Sequence, residues 1–481
     1  MKSISRNIRK VSMATVGAGL LVGLTVATAL AADPNGADTI KEDPTKAVNY
    51  SWTLICAFLV FFMQAGFALV EAGLARTKNT VNVLSKNFMD FCIGGLAFFA
   101  FGFGLMFGGS ALAPGLEIGN PIVGLSGFFL TGDAYDVGTN ELWIFQMVFA
   151  ATAATIVSGA MVERTKITSY MAYSFLISAI IYPIYGHWAW GGGWLATLPF
   201  GVGAKDFAGS GVVHAVGGLV ALVGAWMVGP RLGKFGPDGK PRIIPGHNLA
   251  YVVLGTFILF FGWFGFNPGS TLAATDLRIS VIATNTFLAG VTGAVVTMYY
   301  SLMRTGKADI GLACNGALAG LVAITAPCAY VAPWASVVIG ALSSFVLLGS
   351  LWFVENMLKV DDPVGAVSVH GANGLFGLLC VGIFADGTYG GVSGLIAGNV
   401  DQLIAQLISM AAVTVWALGA GYAIFALIKA TMGLRVSREE EITGLDITEH
   451  GVNAYPPDEV VVADGVPVST PVGSARGVAL V

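Results

Sequence analysis

Charge is what this sequence has least of. Of 481 residues only 11% are charged, while 55% are hydrophobic; a soluble globular protein carries about 25% charged residues. The shortage excludes an ordinary soluble domain and marks a polytopic membrane protein. A net charge of −4 is too small to indicate a nucleic-acid partner. Cysteine is also sparse. The five residues Cys56, Cys92, Cys314, Cys328 and Cys380 lie in apolar stretches without a C-x-x-C pair, so neither a disulfide framework nor a metal site is indicated. Histidine is equally rare, with five residues. Glycine is abundant instead, and its 65 residues suit close helix packing in lipid, where small side chains let backbones approach.

The chain opens with a basic segment (Lys2, Arg6, Arg9, Lys10), an apolar run from Val11 to Leu30, and Ala29-Leu30-Ala31 as a cleavage site. Residues 1–31 therefore read as a signal peptide, cleaved from the mature protein; the other reading is an uncleaved first helix. Residues 32–49 form a short polar segment outside the membrane. Apolar runs then recur near 50–75, 87–108, 141–162, 167–188, 208–229, 248–267, 280–303, 308–328, 334–357, 364–384 and 401–432. Each is near the roughly 20 residues a spanning helix needs, and the last is longer. The fold class is thus an all-α polytopic membrane protein of eleven helices, its membrane domain covering 50–433. Lys and Arg cluster after the first, third, fifth, seventh, ninth and eleventh helices (Arg76, Arg164, Arg231, Arg304, Lys359 and Arg435 among them), and the alternate loops hold only Lys205 and Arg278. By the positive-inside bias the N-terminus is outside and the C-terminus inside, in agreement with the signal peptide.

Two segments repeat one pattern. Asp206-Phe207-Ala208-Gly209 leads to Val213-His214, and Asp362-Pro363-Val364-Gly365 leads to Val369-His370, with Gly218-Leu219 and Gly374-Leu375 following. In a helix the eight residues from Asp to His span roughly 12 Å, which brings each histidine near the bilayer midplane. The first copy enters from outside at the fifth helix and the second from inside at the tenth. That is the trace of a five-plus-five inverted repeat, an architecture whose site lies between the halves. A weaker echo links Gly66-Phe67 with Gly265-Phe266. Ionisable side chains at that depth face an interior path. A matched pair of neutral imidazoles suits a small solute that donates and accepts hydrogen bonds, or a proton relay; core histidines satisfied by backbone are the plain alternative. With no further ligand at depth, two histidines make a poor metal site. Asp206 and Asp362 read first as helix N-caps, and second as charges that attract a cation.

Aromatic and hydroxyl groups collect where outer vestibules belong: His187-Trp188-Ala189-Trp190, Gly262-Trp263-Phe264-Gly265-Phe266 with Ser270, and Phe145 to Phe149. Such groups hold a small cation by cation–π attraction and a hydrogen bond. For any single tryptophan the interfacial aromatic belt is the alternative.

These stretches, with Gln64-Ala65-Gly66-Phe67 and Val369-His370-Gly371, resemble the bacterial ammonium transporters of the Amt family over about residues 50–456. The resemblance implies a homotrimer in the inner (plasma) membrane, with one pore in each protomer. It implies ammonium recruitment by Trp190, Ser270 and Phe149, a gate of Phe149 and Phe266, and a pore lined by His214, His370 and Trp263, with Asp206 supporting recruitment and fold. Ammonium would lose its proton at the vestibule and cross as ammonia, because a bare ion in an apolar lumen is costly. No cofactor and no enzyme activity are implied. A Rhesus-type gas channel and an ammonium sensor with little flux are the alternatives.

Residues 434–456 resemble the family's cytosolic regulatory tail, with Glu439-Glu440-Glu441, Gly444-Leu445-Asp446, Glu449-His450-Gly451 and Tyr455, which implies a PII-type signalling partner. Residues 457–481 carry no motif and read as disordered. Glu71, near the inner end of the first helix, is expected to pair with Arg76 or Arg164; a role in the inner exit is the weaker reading.

Overall fold

The structure, a computed structural model, describes residues 33–455 and the backbone of two strands, Val460–Ala463 (β1) and Val466–Ser469 (β2). The signal-peptide reading of residues 1–31 lies outside the described residues. In chain order the apolar helices are Lys46–Leu74 (α1), Thr77–Phe107 (α2), Val137–Met161 (α3), Ile167–Ala189 (α4), Ser210–Val228 (α5), Leu249–Thr271 (α6), Ile279–Thr305 (α7), Ile310–Thr325 (α8), Pro333–Met357 (α9), Val367–Phe384 (α10) and Val400–Thr431 (α11). Ten of the described helices are long and apolar enough to cross a membrane, and α8 is a shorter apolar helix. Each of the eleven overlaps one apolar run of the sequence, α11 being the longest at 32 residues.

Their starts follow local chemistry. Asp136, Asn248, Asp309 and Asn399 each accept backbone N–H groups as N-caps of α3, α6, α8 and α11, which satisfies donors that a helix start leaves free. The clearest boundary difference is in α2, which begins at Thr77 rather than near residue 87. Its first turns carry Asn82, Lys86 and Asn87, all buried. Lys86 Nζ donates to the Thr165 carbonyl (2.6 Å) and the Asn82 N–H to Asp446 Oδ1 (2.9 Å). A hydropathy reading counts such residues as solvent-facing, whereas here neighbouring segments supply their partners: Thr165 after α3, Asp446 of the tail and, for Asn87, Glu71 of α1.

In packing, α3 is buried along nearly its whole length, among α1, α2 and α5. The rims of α7, α9 and α11 expose large apolar residues, among them Phe287, Phe345, Val415 and Leu427, as suits contact with lipid. Helix ends gather on two faces. Arg76, Glu163, Arg231 and Asp361, which follow α1, α3, α5 and α9, touch one another on one face. Trp190 and Asp206, after α4 and before α5, meet on the other. We call these the basic face and the opposite face. Residues 434–455 lie along the basic face of their own chain: Lys166 N–H donates to Leu434 O (3.0 Å), Val436 N–H to Arg164 O (3.0 Å) and Lys78 Nζ to Glu441 O (2.6 Å). Farther on, β1 and β2 pair antiparallel from Val460 opposite Ser469 to Ala463 opposite Val466. In the sequence their valine-rich runs flank Asp464-Gly465.

Candidate functional site

The site is built from two helix starts made alike. Asp206 accepts the N–H groups of Gly209 (2.9 Å), Gly211 (2.8 Å) and Val212 (2.9 Å). Asp362 accepts those of Gly365 (3.1 Å), Ala366 (3.0 Å) and Val367 (2.7 Å). Burial pushes both carboxyl groups up to about 6, against the lowering by these donors. The glycine three residues after each Asp has a left-handed backbone, with φ of 112° at Gly209 and 80° at Gly365, which a side chain would strain. Each carboxylate thereby ties down a wide π-turn, Ser210–Ala215 or Val367–Ala372, and each turn carries the histidine.

The two helices meet through glycine. A Cβ on Gly218 would lie 2.1 Å from Gly371 N, and one on Gly374 would lie 2.5 Å from Ser210 O. Each helix thus receives the other's π-turn on a bare backbone. This approach brings His214 Nδ1 to 3.2 Å from His370 Nδ1, with ring centroids 5.2 Å apart at 27°. Both rings are buried. One ring must donate and the other accept at that contact, so the pair shares a single Nδ1 proton. Among the described residues His214 Nε2 is enclosed without a partner.

Other rings extend the pair into a file. Toward the opposite face His214 stacks on Trp263 (5.2 Å, 23°) and on Phe266 (5.4 Å, 24°). Phe266 stacks on Phe149 (4.1 Å, 29°), and Phe149 meets the Trp190 ring edge-on at 6.3 Å. Trp190 Nε1 donates to the Asp206 carbonyl (2.6 Å), which fixes the outermost ring to the start of α5. Trp263 Nε1 donates to Thr325 Oγ1 (2.9 Å) at the end of α8. Ser270 lies in the turn after Phe266 and donates to its carbonyl (2.8 Å), leaving the hydroxyl oxygen free to accept. Toward the basic face His370 touches Phe67 (5.9 Å).

Residues 51–455 match the family model described as Ammonium Transporter Family. The chain belongs to the ammonium transporter family. Among its curated relatives is ammonium transporter Amt2 of Archaeoglobus fulgidus, 56% identical over 450 residues, covering 91% of this chain and 94% of that one. Ammonium transporter Amt1 of Haloferax mediterranei is 40% identical, with 87% and 81% covered. Among solved structures, one titled Sensor Amt Protein superposes with a TM-score of 0.77 at 38% identity, covering 85% of this chain and 100% of that one. Candida albicans Mep2 gives 0.73 at 29% identity, with 82% and 87% covered. The relatives' names are those of transporters, so this is a multi-pass membrane protein of a transporter family, not of an enzyme family.

Within this family member, Trp190, Phe149, Phe266, Trp263, His214 and His370 form one continuous file, and Asp206 is joined to it through Trp190. Asp362 lies at the basic-face start of α10, on the far side of the histidines. Phe67 meets His370 at a tilt (5.9 Å, 45°) while Phe266 stacks on His214 (5.4 Å, 24°), so the faint Gly-Phe echo puts a phenylalanine of α1 and of α6 beside each histidine. Sequence reasoning missed Thr325, whose hydroxyl orients Trp263, because one threonine in an apolar run carries no signal of its partner. It also misjudged Glu71. Arg76 pairs with Glu163, and Arg164 donates to the carbonyls of Gly229, Val162 and Asp361. Glu71 instead bonds Ser158 and Asn87 inside the membrane domain.

Proposed function

We propose that this protein carries ammonium across a cell's inner membrane, passing ammonia through the ring file. The carrying observation is the imidazole pair, Nδ1 to Nδ1 at 3.2 Å, buried in apolar surroundings with His214 Nε2 unpartnered. An enclosed nitrogen without a hydrogen bond is costly, and a passing solute that can donate or accept would relieve it. Ammonium would be recruited at Trp190, Phe149 and Ser270, where ring faces and a free hydroxyl oxygen suit a small cation. The stack of Phe149 on Phe266 closes the way inward, so passage requires these rings to move. Beyond them an unhydrated ion has no replacement for its water, and ammonia passes more readily. Asp206 and Asp362 act in this reading as caps that hold the histidine turns.

The basic face is assigned to the cytoplasm from the placement of Lys and Arg, with a signal peptide ahead of the outer N-terminus. Residues 434–456 serve as a regulatory tail for a PII-type partner, and the working form is a homotrimer. A sensor with little flux is the second reading, favoured by the structural neighbour titled Sensor Amt Protein. Ammonium pulses on proteoliposomes adsorbed to a solid-supported membrane separate the two. The transporter should give a current or an internal pH change, and His214→Ala should lower it at least tenfold. Absence of both signals in the wild type would leave only the sensor.

A further inference from the structure

On the basic-face side of His370 lies a cavity of about 20 Å³, room for one water-sized molecule. Its walls are apolar, with Phe67, Val70 and Leu318 among them, except at His370, Asn315 and Glu71. Glu71 is 2% exposed. Both of its hydrogen bonds reach Oε2, from Ser158 Oγ (2.7 Å) and Asn87 Nδ2 (3.1 Å). Asn87 is held in turn by Thr155, whose hydroxyl donates to Asn87 Oδ1 (3.0 Å), and Gln64 donates to both Thr155 Oγ1 (2.9 Å) and the Asn87 carbonyl (2.8 Å). The carboxyl group is therefore fixed in place. Among the described residues its Oε1 has no hydrogen bond, on a side chain that borders the cavity.

Among the described residues no cation forms a salt bridge with this acid, although Lys86 is near enough to act on it through its charge. Arg76 is paired with Glu163, Arg164 is spent on backbone carbonyls, and Lys86 Nζ donates to the Thr165 carbonyl. The neighbouring acid Asp90 accepts from Ser174. A carboxylate ionised here without a hydrogen-bonded ion-pair partner is costly. It stays neutral by holding either a proton or a small cation, and the cavity takes one small solute arriving from His370. We infer that Glu71 and this cavity form an inner ammonium site, where ammonia collects the proton of the Glu71 carboxyl group. The nitrogen lone pair forms an N–H bond as the carboxyl O–H bond breaks, leaving carboxylate paired with ammonium. Ammonium then departs toward the basic face, and the carboxylate regains a proton from hydronium in the solvent there. The site is neutral as a whole before and after the transfer.

This inference rests on the transport function proposed above. Wild-type, Glu71→Gln and Glu71→Asp proteins in proteoliposomes test it by ammonium uptake. Gln keeps the size of Glu and can accept from Ser158 and Asn87, but it has no acidic proton to give. Uptake should fall at least tenfold in Glu71→Gln and return in part in Glu71→Asp, with thermal unfolding in detergent unchanged. Uptake by Glu71→Gln within twofold of the wild type would overturn the inner site while leaving the transport function standing. Absence of wild-type uptake would overturn both. Should the Gln variant fail to accumulate, the wild type suffices: an ammonium-induced infrared difference spectrum should lose a carboxyl band and gain a carboxylate band, and a spectrum without that exchange refutes the inference.

Discussion

At the scale of single residues, the two aspartates show how one side chain sets the geometry of several groups. Asp206 takes three backbone N–H groups on its carboxylate while its own carbonyl fixes Trp190. Asp206→Ala removes the acceptor but leaves the carbonyl, so the donors of Gly209, Gly211 and Val212 lose their partner inside protein. Loss of such a cap costs about 2 kcal/mol, and thermal unfolding of the purified variant should show it as a lower midpoint. Transport should fall as well, since the same turn holds His214. The Asp and His positions were legible because they recur at one spacing with the same flanking residues. Glu71 was misread for the opposite reason. Its partners Ser158 and Asn87 lie 87 and 16 residues away, whereas the basic residues nearest in sequence were taken by Glu163 and by backbone carbonyls.

At the scale of elements, the apolar runs located the eleven apolar helices of the described residues, though not the polar first turns of α2, because length and hydropathy are what a bilayer selects. They said nothing of how α5 and α10 cross. That crossing depends on glycine: only a bare backbone at Gly218 lets Gly371 come close, and Gly374 does the same for the turn at Ser210. A repeat of Gly-Leu after each histidine was visible, but the sequence does not say which backbone each glycine meets. Gly218→Ala should push α10 away from α5 and separate the imidazoles, at a cost of about 1–3 kcal/mol from overpacking. Uptake should then fall at least fivefold. Gly419→Ala on α11 is the control, since a Cβ there meets nothing within 4 Å, and its uptake and melting midpoint should match the wild type. Equal behaviour of the two variants would refute the role given to the crossing.

At the scale of the whole molecule, the basic face ties the two halves together. Arg231, after α5, donates to Asp361, before α10, through its backbone N–H (2.8 Å), Nε (2.9 Å) and Nη2 (3.1 Å), and its Nη1 reaches Glu163 Oε1 (3.3 Å). Glu163 also binds Arg76 and adopts a left-handed backbone, with φ of 73°, a conformation that persists only where its surroundings hold it. The tail closes the same cluster: Glu441 accepts from Arg435 Nη2 (2.6 Å) and from the Leu232 N–H (2.7 Å). Burial would raise the Asp361 pKa, but the hydrogen bond from Arg231 and the charges of Arg164 and Arg231 outweigh it and hold the carboxyl at about 2, below its ordinary 3.8. A depressed acid stabilises the fold in its ionised form. That contribution, about 2 kcal/mol, is complete above pH 4 and is lost as pH falls from 4 toward 2. Asp361→Asn should therefore lower the melting midpoint at neutral pH and lose part of the acid sensitivity in that window, because it has no proton to take up. Thermal unfolding of both proteins in detergent across pH 2–7 checks this. Parallel curves for wild type and variant between pH 4 and 2 would show that Arg231 and Asp361 do not hold the halves together in the way the geometry requires.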